Sequence, residues 1–270
     1  MNGRTLTYWI DQFDRDVSSE SPEVIQSALS AMDDRCVRAL IGELNRNPSP
    51  SPIWTAISDW VHRWNRSAAP IRESPYRGAN AALVLGHLGS RATNAIPALE
   101  NASRIRMRFP EEGADIRGAS LAALVLIRRD SVQVLAKKSL AVADPYSGDY
   151  RHAIYCLGTN AAPAIPVFVD ALDPATNYHV KYYAAHSLVS IHRPDLSLPP
   201  LVSMLKEPNN ISRSIAISSL EGFRDEAKPA WNDLVVLLND PEVEIRRRTT
   251  NALWFIDPVA AQQLGITLSP

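Results

Sequence analysis

The sequence predicts an all-α fold made of about six to seven stacked helical hairpins. Three observations carry this. First, one frame recurs along the 270 residues: an apolar residue, a basic residue, a small residue three later, a small-Leu pair and a large apolar residue. The Leu of that pair falls at Leu85, Leu124, Leu157, Leu188, Leu220 and Leu253, in steps of 39, 33, 31, 32 and 33 residues. A step of that size holds two short helices and two tight turns. Second, apolar positions inside each copy have helical spacing: Val180, Ala184, Leu188 and Ile191 line one face at 3.6 residues per turn. Third, apolar and polar residues do not alternate over any long run, so strands are not expected.

Taken in order, the chain opens with Leu6, Trp9, Ile10 and Phe13 at helical spacing. Residues 1–20 are therefore expected to form an amphipathic capping helix, with Asp11, Asp14 and Asp16 on its outer face. Residues 21–74 read as a degenerate first hairpin, from Pro22 to Leu44, followed by a breaker-rich link at Asn47–Pro52 and an inserted helix and loop. That inserted helix, about Ile53 to Asn65, carries Trp54, Trp60 and Trp64. It is either an extra core helix or an aromatic surface for a partner, since aromatic residues concentrate at the centres of interfaces.

Residues 75–270 are expected to form one array. The first helix of each hairpin carries the frame, with a basic residue seven before the marker at Arg117, Lys181, Arg213 and Arg246. In the other two copies Gly78 and Tyr150 hold that place, and Arg77 and Arg151 lie one residue away. Recurrence at one frame position fits a structural ladder, in which each cation bridges turn carbonyls or a neighbour's carboxylate. The second helix begins near a proline, at Ala95-Ile96-Pro97, Ala164-Ile165-Pro166, Leu198-Pro199-Pro200 and Ala227-Lys228-Pro229, because the first helical turn tolerates a missing N–H. Asp-Pro pairs at 144, 173, 240 and 257 mark other turns, with aspartate offered as an N-cap. Gly86, Gly89 and Gly158 fall at the ends of first helices as C-caps.

The paired helices, with an apolar-Arg first helix, an Ala-Leu pair and an Ala-Ile-Pro second helix, resemble the HEAT repeat, especially the bacterial phycobilisome-lyase-like form. The resemblance covers about Pro75 to Gly265. It implies a right-handed superhelix whose second helices line a concave side, and a non-catalytic scaffold that binds another protein there. The same resemblance implies two alternatives, a lyase-like enzyme that handles a chromophore and a nucleic-acid-binding protein.

Composition bears on these. Basic and acidic residues number 28 and 29, so the whole chain carries no footprint for nucleic acid or an anionic membrane. No apolar run reaches a membrane span. Met1 to Thr5 lacks the apolar core of a signal peptide, which points to the cytoplasm. The stretch from Gly3 to Ile10, however, resembles the opening of exported or anchored bacterial HEAT proteins, which leaves that location as the alternative. Cys36 and Cys156 read as two buried free thiols. The six histidines form no His-Glu dipeptide of the kind that marks metal-binding HEAT hydroxylases, so neither a metal nor any other cofactor is expected. No phosphate loop or nucleophile elbow occurs, and no catalytic residue is assigned. Arg104, Arg106 and Arg108 form the second candidate binding cluster, as either a solvated helix end or a contact for an acidic partner. Arg246, Arg247 and Arg248 turn about 100° apart from one to the next, so they cannot face a single ligand.

Overall fold

A computed structural model describes residues 27–45, 77–105 and 114–266. Among them there is no strand, and the chain has the all-α helical-repeat solenoid architecture. It divides into two compact units, Met1–Ser131 and Val132–Pro270. Among the described residues no helix is long and apolar enough to cross a membrane. The expected capping helix of residues 1–20 and the inserted helix near residues 53–65 lie outside the described residues.

In the first unit α1 (Asp34–Leu44) starts at Asp33, whose carboxylate accepts from the Arg35 and Cys36 amides at 3.0 Å. It packs on α2 (Arg77–Leu88), which in turn packs on α4 (Ala114–Arg128). The short α3 (Ile96–Ala102) lies against α1 and α4. Arg91 joins the hairpins by donating to the carbonyls of Leu29 and Met32 at the end of the preceding helix.

The second unit alternates second and first helices. Its second helices are α5 (Val132–Ser139), α7 (Ile165–Asp170), α9 (Pro194–Met204), α11 (Trp231–Val236) and α13 (Pro258–Gln263). Its first helices are α6 (Ser147–Leu157), α8 (Tyr178–Ile191), α10 (Asn210–Gly222) and α12 (Val243–Ile256). Every marker Leu is buried, and Ala184, Leu188 and Ile191 of α8 are wholly so. Each first helix lies directly on the next, from α6 through α12.

Local chemistry departs from expectation in several places. Between first and second helices run 3-10 segments, Gly89–Ala95, Gly158–Ala164 and Arg224–Ala230. Ala92 and Ala95, Ala161 and Ala164, and Ala227 and Ala230 are fully buried there. Residues three apart eclipse in a 3-10 helix, so each pair puts two methyls on one inner side. The tripeptide Ala227-Lys228-Pro229 therefore belongs to this segment, and α11 starts after it. Pro199 and Pro200 sit inside α9, which begins at Pro194 in the first turn that tolerates a proline. Of the Asp-Pro pairs, only Asp257 caps a helix, accepting from Ala260 N at 3.1 Å. Asp144, Asp173 and Asp240 each accept from the amide two residues on, at 2.8, 2.8 and 2.9 Å, which are Asx turns. Asparagines cap the helices instead, Asn177 for α8 and Asn209 for α10. Neither cysteine is in a disulfide; Cys36 is buried and Cys156 half-buried.

Gly89 and Gly158 adopt positive φ, 55° and 51°, as helix-ending glycines do. Gly86 has a different role. A Cβ there would lie 2.9 Å from Cα of Ala123, so the residue is glycine because α2 and α4 approach backbone to backbone. In a free helix Gly→Ala gains about 1 kcal/mol. Gly86→Ala is expected to reverse that sign and lose roughly 1–3 kcal/mol, because the two helices must part. Urea denaturation measures it, and a stabilised variant would contradict the close approach.

Candidate functional site

The buried polar groups of the second unit come first, because they fix which way every first helix faces. Arg213 is buried near the start of α10. Its Nη1 donates to the carbonyls of Glu207 and Pro208 at 2.9 and 2.8 Å, and its Nε and Nη2 meet Asp240 of the next turn at 2.8 and 3.0 Å. Lys181 repeats the scheme one hairpin earlier, with Nζ 2.8 Å from Glu207 and 3.0 Å from Ser212 Oγ. Arg246 donates to the carbonyls of Asp240 and Pro241 at 2.7 and 2.9 Å. Arg151, one place off the frame, still reaches the Ser139 carbonyl at 3.2 Å and stacks its guanidinium 3.8 Å from the Tyr183 ring. In the first unit Arg117 donates to Ile105 O at 3.4 Å. The repeated cations are thus a ladder that ties each turn to its own helix and, twice, to the turn that follows. An open notch of about 620 Å³ lies beside it, lined by Glu207, Asn209, Arg213 and Asp240 among others. Its charged groups are largely committed to the ladder, so we regard it as the outer mouth of the ladder.

On α8 and α10, where Lys181 and Arg213 are buried, the opposite face of the first helix is presented outward, and the same positions can be compared on α6 and α12. Counted from the marker Leu, positions −9, −6, −2 and +2 form that stripe. On α6 and just beyond it they are Gly148, Arg151, Tyr155 and Thr159; on α8, His179, Tyr182, His186 and Ser190. On α10 they are Ile211, Ser214, Ser218 and Gly222; on α12, Glu244, Arg247, Asn251 and Phe255. All are exposed or half-buried. Tyr155 and Tyr182 are 42% and 44% exposed, far more than a core aromatic. His186 lies 4.3 Å from the Tyr182 ring, and desolvation lowers its pKa, so it offers a neutral imidazole at pH 7. On α12, Arg247 Nε and Arg248 Nε both lie within 2.9 Å of the Glu244 carboxylate. The hydrogen bond from Arg247 does most to push the Glu244 pKa down to about 2. Arg248 Nη1 also reaches Ser218 Oγ at 3.5 Å, across to α10.

This surface escaped the sequence reading. Its signal was present as His179, Tyr182 and His186 at i, i+3 and i+7, the spacing of one helical face. The sequence-derived candidates fare differently. Trp54, Trp60, Trp64, Arg106 and Arg108 lie outside the described residues. Arg104 is exposed just past α3, in the first unit, and its charge helps to hold the Glu100 carboxyl below its usual range, a shift due mainly to the Arg128 hydrogen bond. Among the described residues no three His, Cys, Asp or Glu side chains gather as a metal site would require.

No family model matches the chain, and no curated protein matches it. Solved structures do. An engineered protein is 18% identical with a TM-score of 0.38, over 94% of this chain and 96% of its own. Human deoxyhypusine hydroxylase in complex with glycerol is 16% identical, with a TM-score of 0.38 over 94% and 84%. A designed armadillo repeat protein in complex with the peptide (KR)4 is 14% identical, with a TM-score of 0.36 over 94% and 100%. Likenesses this distant carry no argument about what the chain does.

Two predictions follow from the charges. Asp240→Ala leaves the Arg213 guanidinium buried without its carboxylate and is expected to cost about 3–5 kcal/mol in chemical denaturation. Asp195→Ala, which breaks the exposed pair with Arg193, is expected to change little; equal losses would deny the ladder its role. The second concerns Glu244. Its folded-state pKa lies below the ordinary 4.5, so the stability its ion pairs contribute is full above pH 4.5 and is lost as pH falls toward about 2. Glu244→Gln is expected to flatten the pH dependence of thermal unfolding in that window, and an unchanged slope would contradict the pairing.

Proposed function

We propose that the chain is a non-catalytic scaffold that binds another protein, and that the binding face of its second unit is the outward stripe of the first helices. The carrying observation is the set of exposed aromatic residues on that stripe, Tyr155, Tyr182 and Phe255, at positions −2, −6 and +2 of three different first helices. Tyrosine and arginine supply large, stiff contact area with little entropy lost, and they dominate protein interfaces. The serines of α10 supply adaptable hydrogen bonds between them.

The HEAT resemblance implies that second helices line the concave side. We instead put the partner on the other layer, where the exposed aromatics stand and where the first helices touch one another without interruption from α6 to α12. Rigid helices also hold a contact surface more firmly than loops do.

A photo-crosslinking residue in place of Tyr182 or Tyr155 tests this in cells that express the protein. Labelling of a defined partner protein is expected at both, and not from Val236, which is 70% exposed on the second helix α11. Labelling from Val236 alone, or from none of the three, would refute the assignment.

A further inference from the structure

The frame that sets the outward stripe also sets a forward one. Positions −7, −3 and +1 from the marker Leu are four residues apart, so they share one side of each first helix. On α8 and α10 the following hairpin covers that side. Lys181, Ala185, Arg213 and Ile217 are buried there, and Val189 at +1 closes on Gly222, where a Cβ would stand 2.9 Å from Val189 Cγ1. On α12 the same positions are Arg246, Thr250 and Trp254, and all three are half-buried. The difference is sharpest at the cation. Arg213 and Arg246 hold their own turns alike, each donating from Nη1 to the carbonyls six and five residues back. Arg213 turns its Nε and Nη2 to Asp240 at 2.8 and 3.0 Å, whereas among the described residues no acceptor meets that edge of Arg246.

We propose that this forward face of α12 takes a helical hairpin of a partner protein, one whose leading turn carries an acid directly before proline. The chain itself supplies the pattern. Both cations that are covered on this side meet such a turn, Lys181 at Glu207-Pro208 and Arg213 at Asp240-Pro241. The turn carbonyls hold the Arg246 guanidinium as they hold that of Arg213, so its open Nε–Nη2 edge is preset for both oxygens of one carboxylate. Eight residues on, about 12 Å along the helix, Trp254 stands at the position where Val189 packs on Gly222, so the docking helix needs a small residue opposite it. Thr250 takes the place of buried Ile217, and its hydroxyl is satisfied by the Arg246 carbonyl, which lets the face stand in water while uncovered. Tryptophan and arginine are enriched among the residues that anchor protein interfaces. The face is separate from the outward stripe, and the inference does not rest on that stripe.

The test uses the full chain and a fluorescent peptide of residues 205–240, which brings Glu207-Pro208 as its leading turn and Gly222 as the small residue for Trp254. Fluorescence anisotropy at pH 7 is the readout. The peptide is expected to bind, and to bind more weakly as salt is added. Arg246→Gln in the chain and Glu207→Gln in the peptide are each expected to weaken binding about tenfold, and the two together no more than either alone. Trp254→Ala in the chain is expected to weaken it as well, and Val236→Glu in the chain to leave it unchanged. Circular dichroism shows that each chain variant stays folded. Failure of the peptide to bind, or losses at 246 and 207 that simply add, overturns the proposal. So does sedimentation of the chain alone as a dimer that Arg246→Gln dissociates, which would make a second copy the occupant. If the peptide binds while Tyr155 and Tyr182 crosslink nothing, the stripe reading falls and this face stands; the reverse result removes this face alone.

Discussion

A charged group taken out of water must find its partners nearby, and in the second unit that requirement fixes the stack. Lys181 and Arg213 are buried near the starts of α8 and α10, where the turns around them supply most of the acceptors. Each reaches the turn that begins the next hairpin, at Glu207 and Asp240. Buried ion pairs are seldom a source of net stability, because desolvation offsets the attraction. What they impose is position. A hairpin displaced along its neighbour would strand a cation away from its carboxylate, a cost added to that of the lost apolar packing.

That anchoring decides what the outer face is free to be. The inner positions repeat: the small-Leu pair recurs in every copy, the frame cation in four of six, and the paired alanines in three 3-10 segments. The stripe that looks outward does not repeat, passing from Tyr and His on α8 to Ser on α10 and to Arg and Phe on α12. Packing constrains the first set because each methyl lost from a dense core leaves a cavity. Nothing in the packing constrains the second. Its departure from the frame is therefore where one hairpin's surface can differ from the next without disturbing the stack.

How much of this was legible in the sequence follows the same division. The marker leucines and the ladder cations could be found because a stacked repeat forces them to recur at one step. The aspartates before proline were misplaced as caps, since an Asx turn and an N-cap use the same side chain and differ only in where the helix starts. Gly86 looked like a helix end, and only the 2.9 Å approach to Ala123 shows it as a helix contact. The outward stripe was missed because it has no recurrence to detect. His179, Tyr182 and His186 share a face in the sequence, but their relation to Ser218 and Arg248 depends on two neighbouring hairpins being set side by side.

The two full rungs also show why a lysine can stand where the frame prefers an arginine. Arg213 spans two carbonyls of its own turn and both oxygens of Asp240 with one planar fork. An ammonium is a point charge with three donors and cannot span both turns in that way. At Lys181 the difference is made up by Ser212, whose hydroxyl lies 3.0 Å away on α10, in the next hairpin, where it completes the shell with Glu207. Ser212 is itself buried, so the substitution of one cation for another is matched by a polar group placed on the neighbouring helix. The rung at Lys181 therefore depends on two residues of the following hairpin, Glu207 before α10 and Ser212 within it. Holding both the turn before α10 and Ser212 within it limits how α10 can rotate, and the serines at 214 and 218 stand at the same frame positions as Tyr182 and His186.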